Sequence, residues 1–237
     1  MIPKIIHYCW FGGNPLPKSA IKCIESWKKY CPDYEIIEWN EGNFDISSNI
    51  YIKEAYDSKK FAFVTDYVRL YVMYMYGGIY MDTDVEVVRP LDEFLSNVAF
   101  SGFESSESIP TGIMASEKGF LLYKEFLDYY ADKHFVKTDG SFDVTTNVVI
   151  MTEIVDKYGL KHNNELQTIK GWTLYPSDYF CPLNNSTGIL HRTNNTATIH
   201  WFNKSWVSPS KRLRSKITRP FHRLFGEECF SWLKRRK

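Results

Sequence analysis

Four charged side chains in one stretch have the types and spacing for a divalent-metal site. In FAFVTDYVRLYVMYMYGGIYMDTDVEVVR, residues 61–89, Asp66 and Arg69 stand three apart and Asp82 and Asp84 two apart. Three apart on a helix means a shared face. Two apart on a strand means side chains that point the same way. Two carboxylates side by side repel unless a cation lies between them, and hard oxygen ligands suit Mg²⁺ or Mn²⁺. Each part alone has a plainer reading, since a lone D-x-D is common and an Asp–Arg pair on a helix can be a satisfied ion pair. The combination points to a divalent-metal site fed by a buried polar helix.

The elements that must position these groups follow from periodicity. Residues 61–76 hold no Gly or Pro and only two charges, which predicts a helix buried on most faces. Gly77-Gly78 stops it, and Ile79 to Met81 begins a strand that delivers Asp82-Thr83-Asp84. Before it, the pattern predicts a strand over 2–10, a helix over 17–30 opened by Pro17, a strand over 34–39 and a helix over 50–60. After it come strands over 85–88, 98–104 and 112–115, helices over 119–134 and 144–158, and late strands over 168–175 and 197–201. Thr145 or Thr146 is expected to cap the 144–158 helix, leaving Asn147 a weaker candidate for contact with a ligand. Alternation of strands and helices predicts an α/β sheet covered by helices, with ligands beyond the carboxyl ends of central strands. Trp10-Phe11-Gly12-Gly13 and Asp82-Thr83-Asp84 both sit at such ends. Trp10, beside the glycines, could stack on a ligand ring, although by itself a Trp there is more often core.

Composition narrows the setting. The chain of 237 residues is 44% hydrophobic and 16% aromatic, which fits one domain plus appendages. Its five cysteines follow no zinc or C-x-x-C spacing and are expected to be reduced. No apolar run reaches a membrane-spanning length, and the start lacks a signal-peptide layout, so the expected location is cytoplasmic. Residues 211–237 carry ten Lys/Arg against two Glu; residues 1–210 carry nineteen against twenty-six. The chain is therefore expected to divide into a domain at 1–210 and a basic, partly amphipathic tail at 211–237. Phe221, Leu224, Phe225, Cys229 and Trp232 fall on one helical side of that tail, interrupted by Glu228, which suits an anionic membrane surface. The acidic body argues against a nucleic-acid footprint.

The block AFVTDYVRLYVMYMYGGIYMDTDVEV, with IPKIIHYCWFGG before and IHWFNKSW after, resembles the DXD-motif sugar-transferase region of bacterial capsule and lipopolysaccharide glycosyltransferases. It is similar also to the yeast Golgi initiating mannosyltransferases and, more distantly, to the glucosylating toxins of clostridia. The resemblance spans roughly residues 1–207. It implies a GT-A nucleotide-diphospho-sugar transferase fold, with a mixed central sheet flanked by helices, and retention of anomeric configuration. It implies that Trp10 stacks on uracil and that Asp66 and Arg69 contact sugar hydroxyls. It also implies that Asp82 and Asp84 serve Mn²⁺ or Mg²⁺, His200 being a further candidate ligand, and that Ser205 and Trp206 close over the donor. Asp66, Arg69 and Asp84 are the expected catalytic residues. The expected activity moves a hexose or N-acetylhexosamine from a UDP-sugar to a glycan acceptor, probed against two alternatives: a metal-dependent sugar-nucleotide diphosphate hydrolase and a non-catalytic sugar-nucleotide-binding module. A lipid-linked acceptor in capsule or lipopolysaccharide synthesis, met at the inner face of the cytoplasmic membrane, completes the expectation.

Overall fold

Strand β1 (Ile5–Cys9) lies between β2 (Glu35–Trp39) and β3 (Gly78–Met81), parallel to both. The structure, a computed structural model, describes residues 1–105, 108–109, 112–203 and the isolated positions 219, 220, 224, 226 and 229. β5 (Ala99–Gly102), β6 (Ile113–Ser116), β7 (Gln167–Ile169) and β8 (Trp172–Tyr175) complete a seven-stranded sheet in the order β2-β1-β3-β6-β5-β8-β7. Its pairings are mixed: β3–β6, β5–β6 and β7–β8 run antiparallel, the others parallel. A second, two-stranded sheet joins β4 (Val85–Val87) to β9 (Thr198–His200).

Alternation along the strands separates two cores. Ile6, Tyr8, Ile79, Met81 and Phe100 pack on one face with Trp27 of α1 (Lys18–Tyr30) and Phe180 of α6 (Ser177–Phe180). Trp27 also donates its indole N–H to the Val85 carbonyl at 2.7 Å, which ties α1 to the strand after the D-x-D turn. Cys9, Tyr80 and Met114 pack on the other face under α2 (Ile50–Asp57), α3 (Phe61–Tyr76), α4 (Leu121–Asp128) and α5 (Asn147–Asp156). Helix α3 buries Val64, Val68, Leu70, Val72 and Met73, together with Asp66 and Arg69. Gly77 and Gly78 follow with φ of 69° and 99°, and a Cβ at Gly77 would meet the Lys118 backbone nitrogen at 2.6 Å. That turn requires glycine on both grounds.

Several expectations shift. Asp82 to Asp84 form a turn rather than the end of a strand, closed by the Val85 N–H on the Asp82 carbonyl at 2.9 Å. The expected strand 168–175 is a hairpin: Lys170 and Gly171, at φ 48° and 86°, reverse the chain between β7 and β8. Lysine is an unusual residue for that first position, which hides the turn from composition alone. Helices α4 and α5 are shorter than the predicted 119–134 and 144–158. Neither threonine caps α5 through its side chain: Thr146 stands at the cap without a bond, and Thr145 Oγ1 donates to Asp143. Cys9, Cys23, Cys31 and Cys181 are buried free thiols. Among the described residues no helix is long and apolar enough to cross a membrane. Apart from the isolated positions above, the 211–237 segment, with Phe221, Phe225, Glu228 and Trp232, lies outside the described residues.

Candidate active site

Trp10 and Asp82 leave the carboxyl ends of two adjacent parallel strands, β1 and β3. The Asp82 N–H bonds to the Gly112 carbonyl at 2.8 Å, fixing the start of the turn against the chain entering β6. One Asp82 oxygen, Oδ1, accepts from the Tyr80 hydroxyl at 2.8 Å and lies 3.2 Å from an Arg69 nitrogen. The same nitrogen lies 3.4 Å from Asp66, and the guanidinium sits over the Tyr80 ring at 4.8 Å. Arg69 therefore links the helix carboxylate to the turn carboxylate, with both charges and the cation largely out of water. Burial pushes the Asp66 carboxyl up to about 6 against the pull of Arg69. Burial also raises Asp82, again against Arg69.

Asp84 faces the other strand pair. The β4–β9 register sets His200 opposite Val85, so the ring arrives beside Asp84, with Nε2 3.1 Å from Oδ1. The Asn203 N–H donates to Asp84 Oδ2 at 2.7 Å and the Trp201 N–H to its carbonyl at 2.9 Å. Burial opposes ionisation of Asp84, but His200 and the Asn203 amide outweigh it and hold the carboxyl below its usual range. Burial likewise opposes a charged His200, and Asp84 outweighs it and raises the imidazole well above its ordinary value. Phe202 takes a left-handed backbone, φ 51°, and stacks its ring 4.0 Å from the His200 ring. The His200 Nδ1 is buried without an oxygen or nitrogen partner among the described residues, with the Cys181 thiol beside the ring.

Asp82, Asp84 and His200 each offer one ligand atom, all within 4.8 Å of one another. Two carboxylate oxygens and one imidazole nitrogen are a donor set that Mn²⁺ or Mg²⁺ accepts. The expected metal residues thus come together, although Asp82 is also spent on Arg69 and Tyr80.

The remaining expected residues divide. Trp10 is half-buried and gives its indole N–H to the Asn14 carbonyl at 2.5 Å, which sets the ring within the glycine turn. A Cβ at Gly12, φ 95°, would stand 2.4 Å from the Phe61 ring, so this turn packs directly on the start of α3. Ser205 and Trp206 lie outside the described residues. Asn147, a weaker candidate than the helix cap expected of Thr145 or Thr146, is held against Asp66: its N–H lies 3.4 Å from Asp66 Oδ2, its Nδ2 donates to the Asp66 carbonyl at 2.6 Å, and Tyr130 donates to its Oδ1. Tyr80 and Gly112 were not singled out. The period of two from Asp82 to Tyr80 was a usable signal; nothing local marks Gly112.

Residues 17–101 match the family described as "Glycosyltransferase sugar-binding region containing DXD motif". Two solved structures share the architecture. The PaToxG glycosyltransferase is 18% identical and covers 66% of this chain and 69% of its own, at a TM-score of 0.50. The apo glycosyltransferase GlyE of Streptococcus pneumoniae TIGR4 is 10% identical and covers 91% and 60%, at 0.52. The fold is the GT-A glycosyltransferase fold. Inositol phosphoceramide mannosyltransferase 3 of Schizosaccharomyces pombe is 35% identical over 127 residues, 51% of this chain and 35% of that protein. A mimivirus protein named glycosyltransferase L373, from Acanthamoeba polyphaga mimivirus, is 25% identical over 210 residues, 82% of each. The chain thus spans about a third of the fungal relative's length.

Proposed function

We propose that this protein is a metal-dependent glycosyltransferase that moves a hexosyl group from a nucleoside-diphosphate sugar to a hydroxyl acceptor. The observation that carries the proposal is the meeting of two networks, Asp66–Arg69–Asp82 and Asp84–His200, where β3 ends in a GT-A sheet. Asp82, Asp84 and His200 would hold the ion. When bound, a divalent cation supplies positive charge that stabilises a leaving diphosphate. Arg69 is held rigid by Tyr80 and two carboxylates, so it offers a preorganised cation at the same place. Asp66, fixed by Asn147, would accept from sugar hydroxyls, and Trp10 would stack on the base.

Retention by front-face substitution, in which the leaving phosphate oxygen takes the acceptor proton, needs no nucleophile beyond the residues named. Similarity to the toxins favours a uridine donor; the fungal relative's name adds mannose to the candidate sugars and a lipid-borne inositol phosphate to the candidate acceptors. Capsule or lipopolysaccharide synthesis, a cytoplasmic location, a lid of Ser205 and Trp206, and contact of residues 211–237 with anionic lipid belong to the same proposal.

Mass spectrometry after incubation with a donor panel and lipid-linked or free glycan acceptors tests the transfer. A product heavier by one hexosyl unit supports it, and NMR of that product reads the anomer. Donor cleavage to free sugar at an equal rate with and without acceptors, and no transfer product, would contradict it.

A further inference from the structure

An aromatic cleft opens between helix α3 and the loop that follows β2. It encloses about 260 Å³ between Tyr67, Tyr71 and Tyr76 of the helix and Trp39, Phe44 and Asp45 of the strand end and loop. Tyr67 and Tyr71 stand one helical turn apart and are half-buried, their rings nearly parallel at 18° with centroids 6.5 Å apart. Each ring has a support. Phe44, buried, meets Tyr71 edge-on at 5.3 Å, Tyr130 meets Tyr67 edge-on at 5.7 Å, and Trp39 lies 5.3 Å from Tyr76. The Trp39 indole is itself held by His7 at 3.0 Å. The cleft is thus preorganised rather than a gap between loose side chains.

Its polar groups limit what can fill it. Among the described residues that line it, Asp45 alone is charged and none is basic. A phosphate or nucleotide would meet a carboxylate and no cation. An alkyl chain would strip water from Asp45 and the phenols and return no hydrogen bond. Asp45 commits Oδ1 to the Ser47 N–H and hydroxyl at 2.8 and 2.6 Å, and a carboxylate has a second oxygen to offer. A neutral pyranose answers both demands. Its C–H face packs on the electron-rich face of a tyrosine ring, and its hydroxyls donate to the carboxylate and exchange hydrogen bonds with the phenols.

We propose that this cleft is a second saccharide site, holding one neutral sugar ring of a glycan against Tyr67 and Tyr71. None of Asp66, Arg69, Asp82, Asp84 and His200 lines it. The site goes beyond the glycosyl-transfer reading, since it needs neither metal nor donor. A glycan held there would raise the local concentration of acceptor for a catalytic site built on the same helix.

The test is NMR titration of the full chain, in EDTA, with the methyl α- and β-pyranosides of glucose, galactose and mannose, read by saturation transfer from protein to ligand. The same titration is run on Tyr71→Leu, Asp45→Asn and Asp84→Asn. Asp45→Asn keeps an oxygen for the Ser47 N–H and so keeps the turn. At least one pyranoside should bind the unaltered protein and Asp84→Asn alike, with a dissociation constant raised about five-fold or more in Tyr71→Leu and in Asp45→Asn. Thermal midpoints check both cleft variants; should Tyr71→Leu not fold, Asp45→Asn decides alone. Binding of no pyranoside, binding unchanged in the cleft variants, or binding displaced by UDP-glucose would overturn the proposal. A protein that binds pyranosides in the expected way yet releases nucleotide from no donor would keep this site and contradict the transfer reading alone.

Discussion

Arg69 lies 3.2 Å from Asp82, close enough that one cation of helix α3 is committed to the first carboxylate of the D-x-D turn. The same group pairs with Asp66 at 3.4 Å and covers the Tyr80 ring. Three side chains from two elements therefore have one shared dependency, and their protonation and position stand or fall with Arg69.

Replacing Arg69 by alanine should cost stability as well as activity. Two buried carboxylates lose their partner, a loss worth about 3 kcal/mol in comparable settings. Urea unfolding should show a lower midpoint with an unchanged slope, and donor cleavage should fall at least about a hundred-fold. Arg69→Lys keeps the charge but has a shorter reach and no planar group to lie over the Tyr80 ring, so it should recover part of the stability and little of the activity.

Gly112 should prove necessary for the histidine of the site. A Cβ there would stand 2.6 Å from His200 Nδ1 and 2.9 Å from Cε1. Gly112→Ala should turn the ring away from Asp84 and weaken Mn²⁺ binding by about ten-fold or more, as losses of ligand positioning do. Calorimetric titration of Mn²⁺ reads this directly; affinity equal to that of the unaltered protein would show that the ring is not a ligand.

Metal should also stabilise the fold. At a hundred times its dissociation constant, Mn²⁺ should add about 2.7 kcal/mol, a rise of roughly 5 °C in Tm for a chain of this size. Asp84→Asn should abolish most of that rise while leaving the metal-free Tm within a few degrees.

Acid stability should report on His7, deep in β1. Its Nδ1 accepts from the Trp39 indole at 3.0 Å, so the other nitrogen, 2.9 Å from the Gly77 carbonyl, carries the proton and the ring is neutral. Burial pushes the imidazole down to about 4 from its ordinary 6.5, partly offset by the Gly77 carbonyl. The unfolded chain therefore binds a proton near pH 6.5 that the folded one refuses. Stability from this group is complete above 6.5, falls as pH drops toward 4 and levels off below it, by up to about 3 kcal/mol. Chemical denaturation across that window should show the loss, and His7→Gln should flatten it.

The helix, the strand and the glycine pair between them were legible because α3 is long, apolar and cleanly stopped. The approach of Asp82 to Asp84 was legible too, though through the wrong geometry, since a turn rather than strand alternation brings them together. His200 could be named only as a candidate: its place beside Asp84 depends on the β4–β9 register, a pairing across more than a hundred residues that no local pattern encodes. The Lys170-Gly171 hairpin was missed because its first residue is not a usual turn former. Asn147 was underrated because the two threonines before it read as an ordinary helix cap, whereas its partner, Asp66, is 81 residues away.

The most direct measurement is release of nucleotide from UDP-glucose, UDP-galactose, their N-acetyl forms and GDP-mannose, each with Mn²⁺ or with EDTA, by the unaltered protein and by Asp84→Asn. Slow release from one donor, present with Mn²⁺, absent with EDTA and lost in the variant, is the predicted result. Release that is equal in EDTA and in Asp84→Asn, or no release from any donor together with no Mn²⁺-dependent nucleotide binding, would contradict the assignment of Asp82, Asp84 and His200 to a catalytic metal.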